Sequence, residues 1–468
     1  MDDSDLAFAG VAAQAELIRA GDISSRELVE LYLGRIDRLE PRLNAFATVL
    51  GERALADANQ ADSRRQAGDA RPLLGVPIAL KDNHDLAGEI TSNGTACYEK
   101  PAVRDAELVR RLREAGAVIV GKTNLPELAI MGATESSTFG TTRNPWNLDH
   151  TPGGSSGGSG AAVAAGLCAA ATASDGAGSI RLPAACNGLF GLKPQRGRVS
   201  LDPWPEHWYG MSVAGCLTRS VLDSALLLDV ISGPGPSDRH SAPEPARPFA
   251  ESARERPPRL RIALSPRPAT PVPVHAEVRR VLREAGDLLR SLGHEVSEVD
   301  PAYNEIGLIF IPRYFGGIHQ EVEAVPNRHR LQRRTRQFAA MGAIYPEALL
   351  EWTRRDEERQ RRRIFSVFED HDVLLTPMTA KPPVRANQWE GLDAFRTFLG
   401  MLMAYPFAAT WNAMGNPAAA VPAGFTDDGL PLSVQLVGRS NDEPTLLSLA
   451  AEIEAERDWT RERPALAA

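Results

Sequence analysis

Apolar positions recur at helical spacing in two stretches over residues 6–48, and Ser24 and Ser25 stand where the second, RELVELYLGRIDRLE, would begin. Residues 52–66 continue as helix. The pattern then changes to a short apolar run over 73–80, which predicts a buried strand ending at Lys81 with DNHDL as the loop behind it. An amphipathic helix over 105–115 and a short strand over 117–120 follow, and this alternation predicts an α/β layered fold. Further along, the pattern gives strands at 260–264 and 296–299 around a helix at 274–292, then a long charged helix over 346–370 leading into the strand DVLLTP. Two strands around a DDG turn over 416–438 and a helix over 443–456 close the chain. Between these lie a Pro-rich surface excursion beginning at GPGPSDRHSAPEPARPF (233–249) and an aromatic segment over 303–345 that reads as irregular. No internal repeat is present.

One stretch breaks the pattern. Residues 151–194 hold two Gly/Ser clusters, GGSSGG and DGAGSIR, separated by small apolar residues whose composition predicts a buried helix over 160–173. Glycine and serine gather this way where backbone bends sharply or comes close to something. The helix start would present unpaired N–H groups near Ser155 and Ser156. In the second cluster the backbone N–H groups of Gly176, Ala177, Gly178 and Ser179 can turn toward one point, a nest suited to an oxyanion beside a hydroxyl nucleophile.

Composition narrows the chemistry. With 468 residues, 43% of them hydrophobic, the chain can bury a large core, and a formal charge of −8 gives no electrostatic case for nucleic acid or an anionic membrane. The N-terminal MDDSDLAFAG lacks a basic signal region and no apolar run is long enough to span a bilayer, so a cytoplasmic protein is expected. Cys97, Cys168, Cys186 and Cys216 show neither disulfide-framework nor zinc spacing. Only five of the 52 basic residues are lysine, at positions 81, 100, 122, 193 and 381. A buried lysine can give up its proton where arginine cannot, which makes Lys81 a candidate base.

Two local patterns point elsewhere and fail on context. GAVIVGKT (116–123) fits the phosphate-loop formula, but here AVIV is itself the strand and a helix precedes it, the reverse of what such a loop needs. GGSSG (153–157) fits a nucleophile elbow, yet the turn-like RNPWNLDHTP precedes it in place of a strand. A Ser-x-x-Lys arrangement is excluded because Ile78, Cys97, Ile119, Phe190 and Met378 stand three residues before the lysines.

Lys81, Ser155 and Ser179 remain. Taken in order, GVPIALKDN, GKTNLPELA, TPGGSSGGSGAAVAAG, SDGAGSIRLPAA, GLKP, TRSVLDSALLLDV and GLPLSVQLVGR resemble the amidase signature family over nearly the whole chain. The resemblance implies one α/β/α domain over 1–468 on a large mixed, mostly parallel sheet, with a helical segment at 1–70, the excursion at 233–258 and a variable pocket segment at 303–345. It implies a Ser/cis-Ser/Lys triad: Lys81 as base, Ser155 as the cis-serine relay after Gly154, and Ser179 as nucleophile. The N–H groups of 176–179 would hold the oxyanion, Asp175 and Arg181 would brace the turn, Ser156 would bond within the triad loop, and Lys122, Asn124 and Lys193 would be supports. No cofactor or metal is implied.

Amide hydrolysis through an acyl-enzyme is therefore expected, on an apolar or aryl amide and by extension a carbamate (urethane) or ester. Trp208, Tyr209, Tyr314, Phe315, Trp411 and Asn412 are the candidate pocket residues. Ala177, Ser174, Asn187 and Cys216 depart from the family's usual residues and put substrate detail in doubt. The expected partner is a small-molecule substrate, with no nucleic acid and no membrane, acting on a monomer or homodimer. The alternative is the glutaminase subunit of a tRNA-dependent amidotransferase, against which stands WYGMSVA before GCLTRS where that subunit carries an SLDQ-type run.

Overall fold

The computed structural model describes residues 2–303 and 305–467. One 11-stranded sheet organises it. In chain order its strands are β1 (Phe46–Val49), β2 (Pro77–Lys81), β3 (Val118–Thr123), β4 (Ala170–Asp175), β5 (Phe190–Lys193), β6 (Val213–Thr218), β7 (Arg261–Leu264), β8 (Glu295–Glu298), β9 (Val373–Pro377), β10 (Ala418–Phe425) and β11 (Pro431–Gly438). Across the sheet they run β1-β3-β2-β4-β6-β5-β10-β11-β9-β7-β8.

The sheet is mixed as expected, but parallel pairing is confined to two wings, β3-β2-β4 and β9-β7-β8. The centre and the β1 edge are antiparallel. For one central pair the cause is connection length. The DDG turn joins β10 directly to β11, and a tight hairpin can only pair strands antiparallel.

Strand alternation divides the molecule into two apolar layers, one on each face. Ile78 and Leu80 of β2 join one core and Ala79 the other, and Ile119 is opposed to Val118 and Val120 in β3 in the same way. Helices cover both faces. Among them α1 (Ser25–Leu43) begins with the anticipated signal, a capping box in which the Ser24 hydroxyl accepts from the Glu27 N–H and the Glu27 carboxylate accepts from the Ser24 N–H.

Two expectations are corrected. The small-residue run is helical only as α2 (Gly157–Ala164); Gly166, at φ +62°, ends it and the remainder becomes β4. Alanine-rich sequence buried on all sides suits either state, so composition could not divide it. The segment read as irregular contains two helices, α3 (Ile306–Ala324) and α4 (Arg333–Gly342). Aromatic residues and Pro312 hid their periodicity. Residues 234–248 carry neither helix nor strand and lie at the surface. Among the described residues no helix is long and apolar enough to cross a membrane.

Candidate active site

Lys81 closes β2 and Asp175 closes β4, and because these strands are parallel their ends open on the same edge of the sheet. Ligands gather at the carboxyl ends of such strands. Alternation turns Lys81 to the same face as Ala79, into the layer that holds α2. The lysine is fully buried, and its Nζ lies 2.8 Å from Ser155 Oγ and 2.9 Å from Ser174 Oγ. Burial lowers its pKa from 10.5 to about 7, with the Asp175 and Glu321 carboxylates opposing the shift. Below β2, Thr172 Oγ1 accepts the Lys81 backbone N–H at 2.8 Å and contacts His84 Nδ1 at 2.9 Å. Burial, then the charges of Lys81 and Lys122, push His84 down to about 3, so it stays neutral.

Ser155 lies in the loop ahead of α2, and the Gly154–Ser155 peptide is cis. Two glycines, one in this loop and one in the first turn of α2, let the backbone pass close to its neighbours. A Cβ on Gly154 would come within 2.6 Å of Ala133 N, and one on Gly158 within 2.4 Å of Asn124 N. Ser156 ties the loop to the end of β4, donating to Ser174 O at 3.3 Å. Lys122 sits inside β3 in an ion pair with Asp82 at 2.7 Å, far from the role a phosphate loop would give it. Asn124 donates to Asn44 O and Lys193 to Pro194 O, both as internal supports.

The second cluster is a turn built on one buried carboxylate. Asp175 accepts from the N–H groups of Gly178 (2.6 Å) and Ile180 (3.1 Å) and pairs with the Arg181 guanidinium at 3.0 Å. Burial alone would raise the Asp175 pKa, but the Arg181 charge and the side-chain hydrogen bonds from Arg181 and Asn412 hold it below the usual carboxylate range. Arg181 is itself fully buried and also donates to Asn412 Oδ1, Gln435 Oε1 and Ala408 O. Removing one partner strands a buried charge. Arg181→Met should therefore cost about 3–5 kcal/mol of stability, read as a lowered denaturation midpoint, and an unchanged midpoint would refute the bracing role.

Gly178 is a correction, since its N–H is committed to Asp175 and is not free for an oxyanion. The N–H groups of Gly176, Ala177 and Ser179 have no internal partner among the described residues. The Ser179 side chain is half-buried and makes no protein hydrogen bond there, including none to Ser155. It lines a cavity of ≈ 280 Å³ together with Gly154 and Ala177.

That cavity is apolar and no charged side chain lines it. Trp208 and Tyr314 are in its wall as anticipated. The other four candidates are not. Tyr209 turns outward to Glu347 and Gln320, and Phe315 packs on Phe338 and Phe398 in the core. Trp411 is fully buried against Tyr303, while Asn412 donates to the Asp175 carbonyl and carboxylate. The 303–345 segment supplies part of the wall through Ile306, Phe310 and Ile311 of α3, which were not singled out individually, and Phe398, Met401 and Leu402 of α5 (Ala394–Ala404) lie outside any anticipated pocket region. The apolar run AFRTFLGMLMAYPF was the available signal for the latter. Among the described residues no group of three or more His, Cys, Asp or Glu is placed to hold a metal ion.

Comparison with known proteins gives the family of the chain. A family model described as amidase matches residues 27–447. AmiB2 of Mycobacterium tuberculosis, which carries an amidase name, is 49% identical over 469 residues, spanning 100% of both chains. A glutamyl-tRNA(Gln) amidotransferase subunit of a Synechococcus strain is 35% identical, covering 97% of each chain. The structure of 6-aminohexanoate cyclic dimer hydrolase complexed with substrate superposes with a TM-score of 0.92 at 31% identity, covering 99% of this chain and 100% of that one.

Proposed function

The chain belongs to the amidase signature family and is an amide-hydrolysing enzyme, and from that premise we propose that it cleaves neutral amides bearing an apolar or aryl acyl group through an acyl-enzyme on Ser179. One observation carries this reading. A buried lysine with its pKa near neutrality touches Ser155 beside an apolar cavity into which Ser179 opens.

The chemistry follows from the protonation state of Lys81. Uncharged, its nitrogen offers a lone pair to the Ser155 O–H while one of its own N–H bonds is held by Ser174. When substrate enters, a turn of the Ser179 hydroxyl toward Ser155 completes the relay, and the proton passes from Ser179 through Ser155 to Lys81 as Ser179 Oγ attacks the carbonyl. The carbonyl oxygen becomes an anion facing the N–H groups of Gly176, Ala177 and Ser179. Lys81 then returns its proton through Ser155 to the leaving nitrogen, the C–N bond breaks, and water attacks the ester by the same path. Esters and carbamates present the same carbonyl and are within reach of this site.

The amidotransferase reading gains no support from the cavity. Free glutamine carries an ammonium and a carboxylate, and no charged side chain lines this wall to meet them. A screen of p-nitroanilides, primary amides, carbamates and glutamine on the purified chain should show turnover of apolar anilides without any partner. Glutamine as the preferred substrate, or no turnover of any member of the set, would refute the proposal.

A further inference from the structure

Beyond the acyl cavity, behind Trp208 of its wall, stands a carboxylate the mechanism does not use. Glu321 lies in the C-terminal turn of α3, past the part of that helix that walls the cavity. It is separated from the acyl side by Trp208, whose ring lies against both Gly176 and Gly317. The Trp208 indole N–H donates to Glu321 Oε2 at 3.1 Å, and His207 Nε2 approaches the same oxygen at 3.4 Å. The other oxygen, Oε1, has no hydrogen-bond partner among the described residues, and the side chain keeps 18% of its exposure. No Arg or Lys lies within 4.0 Å of it among those residues.

Trp208 places this carboxylate relative to the reaction, since it donates to Glu321 while lining the cavity with Ser179 and lying against Gly176. Glu321 acts electrostatically on Lys81 and on Tyr98, whose hydroxyl burial first, and Glu321 second, push up to about 12. The other carboxylate acting on Lys81, Asp175, is neutralised by Arg181. Lys81 must hand its proton to the leaving nitrogen, so the leaving group has to lie on its side of Ser179. The carbonyl end of α3 adds to the negative potential there.

We propose that Glu321 determines leaving-group specificity, Oε1 receiving an ammonium or similar cationic group a few bonds beyond the scissile nitrogen, so that mono-acylated diamines are preferred over amides of amino acids bearing a free carboxylate. The proposal rests on the hydrolase reading and adds the polarity of the second half of the substrate. The acyl half is met by an uncharged wall, the amine half by one open carboxylate oxygen.

The test pairs two amides sharing one aryl acyl group, one of a linear diamine with its far amine charged, the other of the ω-amino acid of equal length. The ratio of their kcat/KM values should favour the diamine amide by about tenfold or more, and Glu321→Gln, which keeps an acceptor for the Trp208 N–H, should bring the ratio close to one. A role confined to holding Trp208 would slow both substrates alike and leave the ratio unmoved, which overturns the proposal, as does a wild-type ratio below about twofold. The same ratio is read as dissociation constants by calorimetry in Ser179→Ala with and without Glu321→Gln. If no amide is turned over yet the binding preference for the diamine amide is present and disappears with Glu321→Gln, the hydrolase reading alone falls; equal binding of the two overturns the specificity.

Discussion

Ser179→Ala is expected to lower the turnover of every amide and ester by about 10⁴-fold or more and to abolish covalent labelling by a fluorophosphonate. The size of the loss follows from the role, because no other hydroxyl opens from the turn at the base of the cavity to form the acyl-enzyme. The same variant should be as stable as the parent, with a thermal midpoint within about 2 °C. Its hydroxyl has no partner to lose among the described residues, while the turn beneath it rests on Asp175 and Arg181. Substrate binding should persist, since the apolar wall is untouched. Retained labelling would move the nucleophile to another residue, with Ser155 the first to be tried. A collapsed midpoint would show that the hydroxyl is structural.

How much of this could be read from the chain depends on whether local sequence or tertiary packing decides the matter. Lys81 at the end of an apolar run, and the serines at the start of α1, are local signals; the helix begins at Ser25 and the strand ends at Lys81 as the pattern placed them, although the strand starts at Pro77 and not at residue 73. The Asp175 turn was legible as a bend, but the commitment of the Gly178 N–H was not, since it depends on which way a carboxylate points. The acyl wall was mostly hidden. Aromatic content drew attention to Phe315 and Trp411, yet large aromatics fill cores at least as often as they line pockets, and here both are core. Met401 and Leu402 line the wall because α5 lies across α3, a contact between segments far apart in the chain that no periodicity announces. Glu321 was missed for the same reason: in sequence it is one charge in a segment that reads as irregular, and its contact with Trp208 behind the cavity wall exists only in the fold.

Replacing the base tests the deepest link in the scheme. Lys81→Met keeps the length and apolar stem of the side chain and removes the amine, so kcat should fall by about 10³-fold or more while the fold survives. Among the described residues the buried amine is held by two hydroxyls, Ser155 and Ser174, and burying a methionine there avoids the cost of desolvating nitrogen. Lys81→Arg should be equally inactive, because a guanidinium stays protonated and has no lone pair to offer Ser155. The pH profile of the parent enzyme gives the sign independently. Burial lowers the Lys81 pKa to about 7, so the charged, incompetent form dominates below that value and the neutral base above it. The rate should climb with pH through about 7 and then level, and this limb should be missing from the residual activity of Lys81→Met. An arginine variant with parental turnover, or a parent profile flat from pH 5 to pH 9, would show that the amine does not take the proton from Ser179, and the relay through Ser155 would have no terminus.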